Sequence, residues 1–389
     1  MKKSLLAVAA LGAFAGAAHA QSSVTLYGII DAGVNYTSNV AGHRQFNASS
    51  GMLQGSRWGL RGVEDLGGGL KAIFVLENGF DVMSGSSAQG GRMFGRQAFV
   101  GLSSDRYGSL TLGRQYDSVV DFVGGFEAGS QWGGYVAAHP ADLDNFNNAF
   151  RTNNAIKYTS NNYNGLKFGG LYSLGGVAGD ETRNQIWSAG IGYSNGPINL
   201  AAAYVNVRNP NQAWGAGNSS TASTTTNYFS SPVVSGFASA HTLQIIGAGG
   251  SYGFGAATVG LTYSNIKFKD LGDLSSGPNP NGYTGSSATF NNAEINFKYQ
   301  LTPALLFGAA YDYTRGVSIN DQSRGQYHQG ALGLDYFLSK RTDVYLVGVY
   351  QYAKGHDSTG EDARASINGL TASSSDRQAY VRVGIRHKF

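Results

Sequence analysis

The stretch NAEINFKYQ at 292–300 alternates strictly between two kinds of side chain. One set is apolar and consists of Ala293, Ile295, Phe297 and Tyr299. The other set is polar or charged and consists of Asn292, Glu294, Asn296, Lys298 and Gln300. Because successive side chains of a β-strand point to opposite faces, this stretch is predicted to be a strand with one apolar face and one wet face.

The same alternation recurs from the beginning to the end of the chain. Sixteen segments of roughly ten residues show it, at 24–36, 52–64, 69–80, 93–103, 108–115, 153–161, 164–174, 186–195, 197–206, 242–252, 255–266, 290–300, 304–314, 327–337, 342–353 and 378–389. Short connections alternate with long ones at 37–51, 81–92, 116–152, 175–185, 207–241, 267–289, 315–326 and 354–377. An even number of strands, with short turns at one end and long loops at the other, is typical of a transmembrane β-barrel of the outer membrane.

A soluble β-sandwich would also show alternating strands, so the composition of the two faces matters. The apolar faces carry Tyr, Phe or Trp near the strand ends, as an interfacial aromatic girdle does. The opposite faces carry Lys, Arg, Glu and Asn, which the packed interior of a sandwich could not solvate. Charged residues make up only 13% of the chain, against about 25% in soluble domains. These features favour an all-β, sixteen-stranded antiparallel barrel over a sandwich.

The first twenty residues have the pattern of a secretory signal peptide. Lys2 and Lys3 precede an apolar run over 5–18, and Ala18-His19-Ala20 follows as a small-x-small cleavage signal. The predicted domains are therefore a signal peptide at 1–20 and one barrel domain at 21–389. Removing the two lysines lowers the formal net charge of +4 by two, so no nucleic-acid partner is predicted.

No enzymatic motif stands out in the sequence. It contains no Gly-x-Ser-x-Gly elbow, no Walker loop and no His-Glu-x-x-His. The seven histidines are scattered, mostly through predicted loops, so no catalytic residue, metal site or cofactor is predicted. Two alternatives stay open: an outer-membrane hydrolase, which would need a Ser–His pair on the outer wall, and a barrel used for adhesion through loops such as 207–241.

Several blocks spread over the chain resemble the general porins of Gram-negative bacteria, in their β-proteobacterial branch. They are SSVTLYGIIDAGVNYTS at 22–38, SRWGLRGVEDLGGGLKAIF at 56–74, GRQAFVGL at 95–102, GSLTLGRQYDSVVDF at 108–122, NNAFRTNNAIKYTS at 147–160 and VGIRHKF at 383–389. The resemblance implies a homotrimer in the outer membrane, surrounded by lipid and lipopolysaccharide. Each barrel would hold a water-filled channel for passive diffusion of ions and small hydrophilic solutes. It also implies that Phe389 is the signal read by the barrel-assembly machinery.

In that family the third loop folds inward and narrows the channel. Here the third long loop, 116–152, carries five carboxylates, of which Asp117, Asp121 and Glu127 are assigned to the constriction. Relatives oppose them with a ladder of arginines, which maps by motif to Arg57, Arg96 and Arg151. Facing rows of opposite charge tune ion selectivity across a narrow wet gap. Because the arginines are as numerous as the carboxylates and the mature chain is net positive, the sequence predicts a weak anion preference.

Overall fold

A computed structural model describes residues 22–216, 225–317 and 324–389 of this chain. The predicted signal peptide at 1–20 lies outside these residues and stays a prediction. The predicted loops 207–241 and 315–326 lie partly outside them.

Within these ranges, seventeen strands, all paired antiparallel, form one sheet that closes on itself. They are β1 (Ser23–Val40), β2 (His43–Ser50), β3 (Arg57–Gly67), β4 (Leu70–Gly79), β5 (Gln97–Ser104), β6 (Gly108–Gln115), β7 (Thr152–Thr159), β8 (Leu166–Ser173), β9 (Ile186–Asn195), β10 (Ile198–Arg208), β11 (Ala240–Phe254), β12 (Ala257–Leu271), β13 (Ala288–Thr302), β14 (Leu305–Gly316), β15 (Gln326–Phe337), β16 (Thr342–Lys354) and β17 (Arg377–Lys388). Since β2 and β3 pair one after the other with the same edge of β1, the barrel has sixteen staves. The predicted fold class is confirmed.

The prediction of a long first loop at 37–51 is wrong. The strand β1 continues to Val40, and β2 returns beside it after a turn at Ala41 and Gly42, both of which have positive φ. Two consecutive positive φ values match the right-handed twist of a tight hairpin. The stretch HRQFNASS has a single large apolar side chain, so it lacks the alternation by which the other strands were recognised. The second stave is therefore interrupted at 51–56, between β2 and β3.

The last strand shows how the two faces of the wall differ. Val383 is 54% exposed on the outside of the barrel, whereas the neighbouring Arg382 is 1% exposed on the inside. The same alternation continues with Ile385 outside and Arg386 inside. An apolar outer face with charged residues inside is the arrangement that a barrel surrounded by lipid requires. Among the described residues, no helix is both long and apolar enough to cross a membrane.

The barrel closes where β1 pairs with β17, and the C-terminal residue takes part in this seam. The backbone N–H of Phe389 donates to the carbonyl of Gly28 at 3.1 Å, and the N–H of Gly28 donates to the carbonyl of Phe389 at 3.0 Å. A Cβ atom at position 28 would overlap the Phe389 ring. The absence of a side chain at Gly28 therefore leaves room for the Phe389 ring against the wall.

Deletion of Phe389 should reduce the amount of folded protein in the outer membrane. The deletion removes both hydrogen bonds and the ring contact at the end of the closing seam, and an unpaired edge exposes backbone groups to lipid. We expect heat-modifiable folded protein in outer-membrane fractions to fall severalfold. Phe254→Ala is the control, since Phe254 is an exposed ring at a strand end away from the seam. A deletion variant that assembled normally but lost conductance would contradict the prediction.

Candidate functional site

The third loop, 116–151, folds into the barrel and is called here the inward loop. It has no long helix but a chain of single turns, at Val119–Val123, Gly124–Phe126, Gly129–Gly133, Tyr135–Ala137 and Pro140–Asp142. Many of its side chains are fully buried, among them Val119, Val123, Ala128 and Phe146. The loop is therefore packed as a solid layer against the wall.

Aromatic side chains of the inward loop lie on glycines of the wall. Trp132 is 4% exposed and covers Gly308 on β14 and Gly333 on β15. A Cβ atom at Gly333 would come within 2.6 Å of the indole ring, and one at Gly308 would overlap it. Burying a large apolar side chain in this way contributes about 1.5–3 kcal/mol. The missing side chains on β14 and β15 thus create the flat surface on which Trp132 rests.

The same kind of contact repeats along the wall. Three other rings of the loop lie on inward-facing glycines, namely Phe122 on Gly190, Phe146 on Gly247 and Phe126 on Gly249. These glycines belong to β9 and β11, so the loop follows the inner wall from β9 round to β15. Glycines on the inner face of β9 and β11 thus leave room for the rings of the loop.

The tip of the inward loop reaches the interruption in the second stave. The backbone N–H of Tyr135 donates to the carbonyl of Met52 at 2.7 Å. The interruption is itself shaped by Asp31, whose carboxylate accepts hydrogen bonds from the backbone of Leu53 at 2.7 Å and Gln54 at 2.8 Å. The loop is therefore fixed at its tip as well as along its length.

The structure brings the three sequence-predicted arginines together on the side of the barrel formed by β3 to β7. Arg96 donates to Glu77 at 2.7 Å and to the Tyr116 hydroxyl at 3.1 Å. The guanidinium of Arg151 lies 6.0 Å from the centre of the Tyr116 ring, and Arg57 lies within electrostatic range of Arg96 and Glu77. Glu77 and Tyr116 were missed from the sequence, although Glu77 was recognisable as a charged residue in a predicted strand.

Two of the predicted carboxylates do not reach the water opposite these arginines. Asp117 is fully buried and accepts hydrogen bonds from the backbone of Val119 at 2.9 Å and the side chain of Asn145 at 2.7 Å. Burial raises the pKa of Asp117 to about 6. Glu127 is also fully buried and accepts from the backbone N–H of His139 at 2.8 Å. Both side chains hold the loop in its fold.

Asp121 is the predicted carboxylate that keeps contact with water. Its side chain is 27% exposed and forms an ion pair with Lys157 of β7. Burial raises the pKa of Asp121, while Lys157 acts in the opposite direction. The charge of Asp121 is thus largely balanced by a lysine of the neighbouring wall, which leaves less negative potential for the arginines to face.

A buried charged cluster, formed by His139, Asp144, Glu127, Glu294 and Asp312, joins the loop to the wall. The imidazole Nδ1 lies 2.7 Å from Asp144 and 3.7 Å from Glu127. On its other side, Nε2 lies 3.7 Å from Glu294 on β13 and 3.9 Å from Asp312 on β14. Sequence reasoning treated His139 as an isolated loop residue, because its partners on the wall are far away in the chain.

The pKa values of the loop residues in and beside this cluster follow from burial and charge. Burial alone would lower the pKa of His139, but Asp144 and Glu127 outweigh it and raise this pKa well above 6.5. For Asp144, the charge of His139 and its hydrogen bond overcome the effect of burial and lower the pKa. Burial and the nearby Asp144 raise the pKa of Asp142 to about 8. Within the described ranges, no group of three or more His, Asp or Glu side chains is placed to hold a metal ion.

Comparison with known proteins gives a consistent picture. Residues 7–358 match the family described as Gram-negative porin. The chain is 35% identical to an outer membrane porin protein of Bordetella pertussis and 31% identical to outer membrane porin protein 32 of Delftia acidovorans, in both cases over the full length of both chains. Among solved structures, an anion-selective porin from Comamonas acidovorans matches with a TM-score of 0.73 and 24% identity, covering 95% of this chain and 100% of that one. An outer membrane protein of Vibrio cholerae, solved in a trimer form, matches with a TM-score of 0.65 and 16% identity over 95% of this chain and 99% of that chain.

Proposed function

The chain belongs to the Gram-negative porin family and forms an outer-membrane channel for passive diffusion of small hydrophilic solutes, and on this premise we propose that the channel prefers anions weakly. The constriction is formed on one side by Arg57, Arg96 and Arg151, and on the other by the inward loop. Asp121 is the acidic residue that the loop presents to the water.

The imbalance of charge at the arginine cluster carries this proposal. One of the three arginines, Arg96, is paired with a carboxylate, Glu77. On the opposite side, Asp117 and Glu127 are buried within the loop, where their carboxylates accept hydrogen bonds from the loop itself. In a narrow gap both walls lie within the screening length of about 8–10 Å at physiological salt, so the more numerous charges beside the gap decide ion preference. Arg96 and Arg151 are only 9% and 8% exposed, so they act through the electrostatic potential in the gap. The name of the related Comamonas protein, an anion-selective porin, supports the same direction.

The assembly is proposed to be a homotrimer whose outward side chains contact lipid and lipopolysaccharide. The trimer form of the related Vibrio protein supports this oligomeric state. Phe389, at the end of the closing seam, is proposed to be read by the barrel-assembly machinery, and residues 1–20 are proposed to direct export.

A planar-bilayer recording of the purified protein tests the function. In a tenfold KCl gradient we expect ohmic steps and a reversal potential displaced from zero toward the chloride equilibrium potential. A displacement toward the potassium equilibrium potential would contradict the proposed preference. A closed barrel without conductance would instead favour adhesion as the main role.

A further inference from the structure

A side chamber opens beside the arginine cluster at the end of the barrel that carries the long loops. It is a cavity of about 440 Å³, lined among others by Arg92, Arg114, Arg151, Phe150, Trp214 and Tyr228. These residues come from three different long loops and from the end of β6. Arg151 belongs both to this chamber and to the constriction cluster, so a solute held here is already in contact with the narrow part of the path.

The chamber has an uncompensated positive charge. Each of its three arginines is held by neutral oxygens: Arg92 by the Gln89 carbonyl at 2.8 Å, Arg114 by the Gly95 carbonyl at 2.9 Å, and Arg151 by the Ala149 carbonyl at 3.1 Å. No carboxylate is present among the described residues that line it. A guanidinium fork with free donors matches the two oxygens of a carboxylate.

Two buried N–H donors of the lining have no partner. They are the Nε of Arg151 and the indole Nε1 of Trp214, and both nitrogens are shielded from solvent. An unsatisfied buried donor is costly, so each such group in a folded protein calls for an explanation. Both belong to side chains that line the same chamber, one charged and one aromatic.

Three aromatic side chains also line the chamber. Phe150 and Trp214 stack with ring centres 5.0 Å apart and planes 2° from parallel. Tyr228 lies beside them and is 41% exposed. Aromatic faces attract a further planar ring more strongly than an aliphatic group of the same area. The chamber thus combines a site for a carboxylate with a site for a flat ring.

We propose that this chamber is a binding subsite for aromatic carboxylates on their way into the channel. The carboxylate binds Arg92, Arg114 and Arg151, and the ring lies against Phe150, Trp214 and Tyr228. This inference rests on the proposed anion preference and names a class of anion that the same pathway favours.

Channel block by two acids of equal charge and similar size tests the proposal. Benzoate and cyclohexanecarboxylate are added in turn to the loop side of a bilayer carrying wild-type channels in KCl, and the concentration that halves the current is measured. We expect the half-blocking concentration of benzoate to be about fivefold lower, as one aromatic contact provides. Equal values for the two acids would overturn the proposal.

Variants of the lining residues test whether the preference for benzoate arises in this chamber. Trp214→Leu should bring the two half-blocking concentrations to within about twofold of each other, since Leu is apolar but has no ring. Arg114→Gln should raise both concentrations equally, by about tenfold, as loss of one charged hydrogen bond does. The control is Trp187→Leu, because Trp187 lies on the outer face of β9 beside Tyr204, and it should keep the fivefold ratio.

The outcomes distinguish failure of the binding subsite from failure of the proposed anion preference. An undiminished benzoate preference in Trp214→Leu, or unchanged block in Arg114→Gln, would place the binding elsewhere and overturn the subsite. If Trp214→Leu fails to assemble, Tyr228→Leu removes a ring from the same wall and should lower the ratio instead. Because both acids carry one negative charge, a fivefold ratio without chloride preference in the KCl gradient would reject the anion-selective function but not the subsite.

Discussion

Replacing Arg57, Arg96 and Arg151 together with serine should turn the channel from a weak anion preference to a cation preference. The change removes three positive charges from one side of the constriction. It also leaves the Glu77 carboxylate without Arg96, its partner at 2.7 Å. We expect the reversal potential to move by about 20 mV toward the potassium equilibrium potential, within the roughly 59 mV that a tenfold gradient of a monovalent ion allows. Larger sugars should also enter liposomes faster, because three long side chains leave the gap.

A variant with the same loss of charge elsewhere serves as the control. Arg106, Lys340 and Arg341 are exposed in short turns at the opposite end of the barrel from the long loops. Their replacement by serine should shift the reversal potential only slightly, since exposed charges act over about one screening length. If the two triple variants behaved alike, the three arginines would act through net charge and would not define the constriction.

Replacement of His139 by alanine should release the inward loop from the wall. His139 is fully buried between Asp144, Glu127, Glu294 and Asp312. Removing one partner of a buried ion pair costs about 3–5 kcal/mol, because the remaining charges lie unpaired in a dry environment. We expect a noisier open-channel current and a lower temperature for loss of the folded form. His241→Ala is the control, as that imidazole is partly exposed and has one carboxylate partner, Asp273, besides the guanidinium of Arg208.

Thiol labelling reports on the loop directly. The chain has no cysteine, so Ala128→Cys supplies a single probe at a fully buried position of the inward loop. The labelling rate of this probe should rise severalfold when His139→Ala is added. An unchanged rate, together with a quiet current, would mean that the aromatic contacts of Trp132 and Phe122 hold the loop without the histidine.

The same residues make the docked loop sensitive to alkaline pH. His139 has a raised pKa, so its stabilising charge is complete below about 6.5, the value of an unfolded histidine, and is lost as the pH rises through the folded value. Asp142, with a pKa of about 8, keeps its proton when folded, so the stability it contributes is lost as the pH rises from about 4, the value of an unfolded aspartate, to about 8. The lowered pKa of Asp144 acts only in acid, where stability is lost as the pH falls. From pH 6 to 9 the loop should therefore become less firmly docked, and Asp142→Asn should reduce this change.

The sequence alone determined the barrel, because successive residues of a strand lie on opposite faces, so that apolar and polar residues alternate along the sequence with a period of two. All sixteen predicted segments overlap staves of the barrel, including the stretch at 292–300 that lies within β13, although the segments predicted at 52–64 and 93–103 begin before the observed strands. The one stave segment that was missed, β2, has no apolar alternation to reveal it. The arginine cluster was also within reach of sequence reasoning, since Arg57 takes its inward direction from its place in a strand next to Trp58.

The tertiary structure alone decided which charges of the inward loop face water. A loop has no period that fixes the direction of its side chains, so their exposure depends on what the loop packs against. Trp132 rests on Gly308 and Gly333, and His139 is enclosed by Glu294 and Asp312, across more than 150 positions of the chain. Those contacts bury Glu127 and leave Asp121 accessible, although both are carboxylates of the same short stretch. Burial of this kind arises only when distant strands bring their glycines and carboxylates to one surface.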